Sequence, residues 1–128
     1  MWRKRLVMGL GLAVLMSCKS STSPGCSGTC VTIQDFSFSP SAVTIKVGTT
    51  VTWTNSGPAS HTTTSGSGVW DSGALSAPSG GGGYGGGSAG GTFQFTFNTP
   101  GTYPYHCKIH PPSIATYAGF TGTITVTQ

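Results

Sequence analysis

The chain has very little charge. Only 6% of its 128 residues are Asp, Glu, Lys or Arg, and the two acidic residues are both aspartates, Asp35 and Asp71. With no glutamate and no neighbouring carboxylates, it lacks the paired acids that general acid–base catalysis draws on, and an enzyme is not expected. Basic residues are also few: beyond Arg3, Lys4 and Arg5 there are only Lys19, Lys46 and Lys108. No run of Lys or Arg offers an electrostatic footprint for phosphate, so nucleic acid is not an expected partner. No apolar stretch approaches the ~20 residues needed to cross a bilayer as a helix. Methionine stops at Met16.

What is present begins with an export signal. Residues 1–17 combine a basic start, an apolar stretch from Leu6 to Leu15, and the small residue Ser17 directly before Cys18. Leu15-Met16-Ser17-Cys18 resembles a bacterial lipobox, in which cleavage precedes the cysteine and lipid is attached to its thiol. Cys18 is therefore the expected lipidation site. The mature protein would be held at a membrane surface of the cell envelope, periplasmic, outer-membrane or extracellular, without crossing it. Removing 17 of 128 residues leaves 111, enough for one modest core, with three lysines against two aspartates. Residues 18–29, rich in Ser, Thr, Pro and Gly, read as a tether, and residues 30–128 as the domain.

Within the domain the apolar period is two. Val31/Ile33, Val43/Ile45/Val47, Val51/Trp53, Phe93/Phe95/Phe97 and Ile124/Val126 alternate with Thr, Ser, Gln or Lys, the pattern of half-buried strands. Turn chemistry separates them at Ser39-Pro40-Ser41, Gly48, Asn55-Ser56-Gly57-Pro58 and Asn98-Thr99-Pro100-Gly101. The expected fold is all-β: an antiparallel sandwich of seven or eight strands. Residues 80–91, nearly all glycine, are expected to form a mobile surface loop, since such a chain loses much entropy when ordered.

Three of the four cysteines remain to be placed. After Cys18, Cys26 and Cys30 form a Cys-x3-Cys pair for which a disulfide is expected in an oxidising compartment. Cys107 and His110 sit in Tyr105-His106-Cys107-Lys108-Ile109-His110, where Pro111 and Pro112 force the chain to turn. His61 follows a turn after another strand, which a sandwich can place at the same end. Two imidazoles and one thiolate are the ligand set of a trigonal copper site. The rival set Cys26, Cys30, Cys107 and His110 would make a closed zinc site, which a Cys26–Cys30 disulfide excludes. His106, next to Cys107 in an extended chain, should point away from the metal.

At these residues the chain resembles the plastocyanin and amicyanin branch of the cupredoxins. The resemblance runs from about Val31 to Gln128. It rests on Val43-Thr44-Ile45-Lys46-Val47-Gly48, Val51-Thr52-Trp53-Thr54-Asn55, His61-Thr62, Trp70-Asp71-Ser72-Gly73, the Thr-Pro-Gly-Thr-Tyr lead-in, and Cys107-x-x-His110. It implies a Greek-key β-sandwich holding one type 1 copper ion on His61, Cys107 and His110. It also implies a blue-copper carrier of single electrons between redox proteins such as a cytochrome or oxidase, working as a monomer. A copper-handling module that does not cycle electrons is the alternative. The departure is at the axial position: the family's methionine has no counterpart, and Ser113 stands at the amicyanin-like spacing, with the Ser60 carbonyl a second candidate. Loss of that ligand should favour Cu(I) and raise the potential.

Overall fold

The computed structural model describes Cys26 and residues 28–80 and 86–128. The signal, Cys18 and most of the tether lie outside the described residues. Eight strands are arranged in two sheets: β1 (Thr29–Gln34), β2 (Ser37–Ser39), β3 (Ala42–Lys46), β4 (Thr49–Asn55), β5 (Thr64–Ser65), β6 (Thr92–Phe97), β7 (Gly101–His106) and β8 (Thr121–Thr127). One sheet has the order β2-β1-β4-β6 and the other β3-β8-β7-β5. The only helical segment among the described residues is a 3₁₀ turn, Ala115–Tyr117.

The sandwich is the expected one, but its sheets are mixed. β1 runs parallel to β4, with Val31 opposite Trp53, and β3 runs parallel to β8, with Ile45 opposite Val126. Both pairs join strands that are not joined by a tight hairpin, so alternation within each strand could not reveal their direction. Val47 also departs from the expected strand. It sits in the turn between β3 and β4, 40% exposed, where Gly48 takes φ +85°, a conformation that costs glycine nothing.

Alternation fills the space between the sheets. Val31 and Ile33 of β1, Val51 and Trp53 of β4, and Phe97 of β6 meet Ile45 of β3, Tyr105 of β7, and Ile124 and Val126 of β8. Trp53 is fully buried, edge-on to Tyr105 with ring centroids 5.7 Å apart and tilted against Trp70 at 5.5 Å. Such aromatic pairs add to the area term that dominates folding, at about 25 cal/mol per Å² of apolar surface. The result is a stiff frame whose loops can be held in fixed positions.

The glycine-rich stretch is less loose at its end than its composition suggests. Gly90 is buried against the Asn55 carbonyl, where any side chain would collide, and the Gly91 carbonyl accepts the Asn55 N–H at 2.9 Å. Glycine is thus required there by close approach of two backbones. Residues 81–85 lie outside the described residues.

Candidate metal centre

The end of β4 sets up the first ligand. Asn55 is fully buried, and its side-chain amide donates to the carbonyls of Ala59 (2.8 Å), Leu75 (2.9 Å) and Ser76 (3.1 Å) while its Oδ1 accepts the Gly57 N–H (3.0 Å). That single side chain folds the turn leading to His61 onto the segment around Leu75. His61 then exchanges both backbone hydrogen bonds with Leu75, at 3.1 and 2.7 Å. The imidazole is fully buried.

The other two ligands come from the end of β7. β5 pairs with β7 so that Thr64 lies opposite His106, which brings the His61 segment alongside Cys107. Cys107 lies just beyond the strand, fully buried, and its Sγ accepts the Thr62 N–H at 3.3 Å. Thr62 also accepts the Lys108 N–H through Oγ1 at 2.9 Å, so the two ligand segments are stitched together. His110, half-buried, returns in the turn before Pro111. The exposed Lys108 forms an ion pair with Asp71, whose carboxyl is held below its usual value by that ammonium and then by the Gly73 N–H.

The three donors converge. His61 Nδ1 is 3.2 Å from His110 Nδ1, and Cys107 Sγ is 3.9 Å from the first and 3.7 Å from the second. The point equidistant from the corners of that triangle lies about 2.1 Å from each, at metal–nitrogen bond length and about 0.2 Å short of a metal–thiolate bond. The residues therefore fit a single ion. Thiolate with two imidazoles, soft and borderline donors in a trigonal array, suits copper in both oxidation states.

The remaining sequence-derived assignments divide. Cys26 and Cys30 are joined in a disulfide, which removes the zinc alternative. His106 is half-buried and outside the donor group. Ser113, the axial candidate, is exposed in a turn in which the Ile114 N–H bonds the Pro111 carbonyl at 3.0 Å. The groups packed beside the imidazoles are aromatic instead. Phe36 lies 5.4 Å from His110 and 4.6 Å from Tyr117 by ring centroids, and the buried Phe120 lies 5.0 Å from His61.

Two neighbours of the site are not evident from motif spacing. Asp35 Oδ1 accepts a hydrogen bond from His61 Nε2 at 2.8 Å, and Phe36 packs edge-on with the His61 and His110 rings at 6.3 and 5.4 Å. Both sit in the β1–β2 turn, 26 residues before His61 in the case of Asp35. An aspartate between two strands reads as ordinary turn chemistry, and nothing local distinguishes it.

A two-sheet sandwich with a buried thiol and two imidazoles converging at one end defines a mononuclear copper-binding protein. Comparison with known proteins agrees. Residues 27–127 match the family described as copper binding proteins, plastocyanin/azurin family. Plastocyanin from Scenedesmus fuscus is 38% identical over 99 residues, covering 70% of this chain and 85% of the relative. A purple cupredoxin from Nitrosopumilus maritimus superposes with TM-score 0.55 at 25% identity, covering 77% of this chain and 99% of that one. A reduced amicyanin variant gives TM-score 0.54 at 27% identity, covering 84% and 87%. The chain belongs to the plastocyanin/azurin family of copper-binding proteins.

Proposed function

We propose that this protein is a one-electron carrier that shuttles copper between Cu(I) and Cu(II), exported and held at the cell envelope by lipid on Cys18. The observation that carries the reading is the convergence of His61, Cys107 and His110 within a hydrogen-bonded frame. Copper, when bound, supplies the exchangeable electron. The protein's part is to keep the three donors in place whichever oxidation state is present. His61 is fixed through its backbone by Leu75, Cys107 by the Thr62 N–H, and both segments by the Lys108–Thr62 bond. Little rearrangement is then needed when the charge changes. No substrate chemistry is assigned to the site.

His110 is the exit for the electron. It is half-buried, and around it Phe36, Ile109 and Ile114 are exposed by 37%, 47% and 49%. An apolar rim of this kind excludes water from a transient contact with a redox partner such as a cytochrome or oxidase. Lys108 and Asp71 pair with each other, which largely cancels their charge, and the Asp35 carboxylate is turned onto His61. Docking should accordingly depend only weakly on salt. Lipid attachment at Cys18 rests on the sequence alone, and among the described residues no helix is long and apolar enough to cross a membrane.

The test is electron paramagnetic resonance of the copper-loaded protein with a potential titration. A reversible couple with a thiolate–copper signal is expected. Cys107→Ser should abolish that signal while the sandwich stays folded by circular dichroism. Retention of the signal in the serine variant would refute the ligand assignment.

A further inference from the structure

The β1–β2 turn does more than reverse the chain. Its second residue, Phe36, holds φ +65°, a left-handed conformation that is uncommon and costly for an aromatic residue. With Phe36 so placed, the preceding Asp35 directs its carboxylate inward to His61 Nε2 at 2.8 Å. The same oxygen accepts the Ala59 N–H at 3.4 Å. Gly57 makes the room: a Cβ there would fall 2.9 Å from the Asp35 backbone nitrogen and 2.6 Å from Oδ1. A strained turn, a glycine and a backbone donor thus converge on the position of one carboxylate. The histidine side chain is fully buried, and the aspartate side chain is 32% exposed.

The chemistry of the pair follows from the tautomer. When His61 Nε2 donates its hydrogen to Asp35, Nδ1 carries the lone pair, and Nδ1 is the atom aimed at His110 and Cys107. An outer partner of this kind orients a ligating imidazole and raises its basicity. Asp35 also brings negative charge within one imidazole of the metal, where a neutral acceptor would bring none. That charge stabilises Cu(II) more than Cu(I). It acts against the missing methionine, whose absence pushes the potential upward.

We infer that Asp35 is a positioning residue of the copper centre, fixing the His61 tautomer and holding the reduction potential below the value the methionine-free ligand set would otherwise take. This rests on the copper-carrier reading above. Asp35→Asn keeps an acceptor oxygen of the same size and removes only the charge; Asp35→Ala removes both. In the copper-loaded protein, Asp35→Asn should retain the thiolate–copper spectrum but lose about tenfold in Cu(II) affinity relative to Cu(I), a rise of about 59 mV for a one-electron couple. Asp35→Ala should weaken Cu(II) binding further, toward the upper end of the 10- to 100-fold loss typical of such partners. In the metal-free protein, ¹⁵N resonances of His61 should show the hydrogen on Nε2 in wild type and a mixture of tautomers in Asp35→Ala. A copper-loaded wild type with the expected spectrum, beside variants of unchanged potential, overturns the inference while sparing the carrier. A wild type with no thiolate–copper signal overturns the carrier, and the tautomer measurement, which needs no metal, then decides the positioning role: an unchanged His61 in Asp35→Ala refutes it.

Discussion

Asn55 is where the fold and the copper centre depend on the same atoms, and its removal gives the sharpest test of how the site is built. In the native protein its amide satisfies the carbonyls of Ala59, Leu75 and Ser76, and its Oδ1 satisfies the buried Gly57 N–H. Asn55→Ala removes all four contacts at once. The Leu75 carbonyl keeps the His61 N–H as a second partner and the Ser76 carbonyl keeps the Gly91 N–H, so those two losses are small. The Gly57 N–H and the Ala59 carbonyl lose the partner that Asn55 supplied. At about 1 kcal/mol for each net hydrogen bond, and more where a buried group is left unpaired, the expected destabilisation is roughly 2 kcal/mol or above.

That loss is a large fraction of the 5–15 kcal/mol typical of a domain. For about 100 residues it should lower Tm by at least about 8 °C. The assay is guanidinium and thermal unfolding of the metal-free protein, because copper binding to the native state would mask part of the effect by mass action. Asn55→Asp is the control. It keeps the size, replaces the donors with a carboxylate facing three carbonyls, and should be worse than alanine. A loss below about 1 kcal/mol for Asn55→Ala would refute the assignment of the loop's stability to this side chain.

The strands and two of the three ligands were legible because their causes are local. Val31/Ile33, Val51/Trp53 and Ile124/Val126 alternate because one face of each strand enters the core, and all six residues are buried. Cys107 and His110 lie close in sequence, and the prolines that follow dictate a turn. His61 entered the site through its resemblance to a family and its place after a strand-ending turn. Strand direction was not legible, since a period of two is the same for parallel and antiparallel neighbours. Nor was the packing of Gly90 beneath Asn55, a long-range approach of two backbones hidden inside a low-complexity stretch.

Asp35 and Phe36 illustrate the same limit at the site. In sequence they are a turn aspartate and one phenylalanine among six. Their role comes from β2-β1-β4 adjacency, which carries the β1–β2 turn to the end of the sandwich where His61 emerges from β4. Ser113 shows the converse. Spacing alone nominates it, whereas the structure surrounds the imidazoles with Phe36, Tyr117 and Phe120 and leaves the serine exposed.

The remaining predictions concern the axial side, the docking rim and the buried tyrosine. Ser113→Met should lower the reduction potential by offering a thioether three residues after His110; an unchanged or higher value in the potential titration would eliminate Ser113 as the axial position. Electron exchange with a small redox partner, followed by stopped flow, should vary little between low and physiological ionic strength, and a steep fall with salt would show that charge rather than the apolar rim governs docking. Tyr105 should make the fold sensitive to alkali. Burial pushes its hydroxyl from 10.0 up to about 12, only weakly opposed by the Trp53 indole, and neither polar atom has a hydrogen-bond partner of normal geometry. Between those values the unfolded chain releases the proton while the folded one keeps it, so stability present below pH 10 should fall as pH rises toward 12, by roughly 2–3 kcal/mol. Urea unfolding across that range would show the slope in wild type. Tyr105→Phe should remove it while leaving the rest of the alkaline profile in place, and a variant as alkali-sensitive as wild type would mean that the buried phenol is not its source.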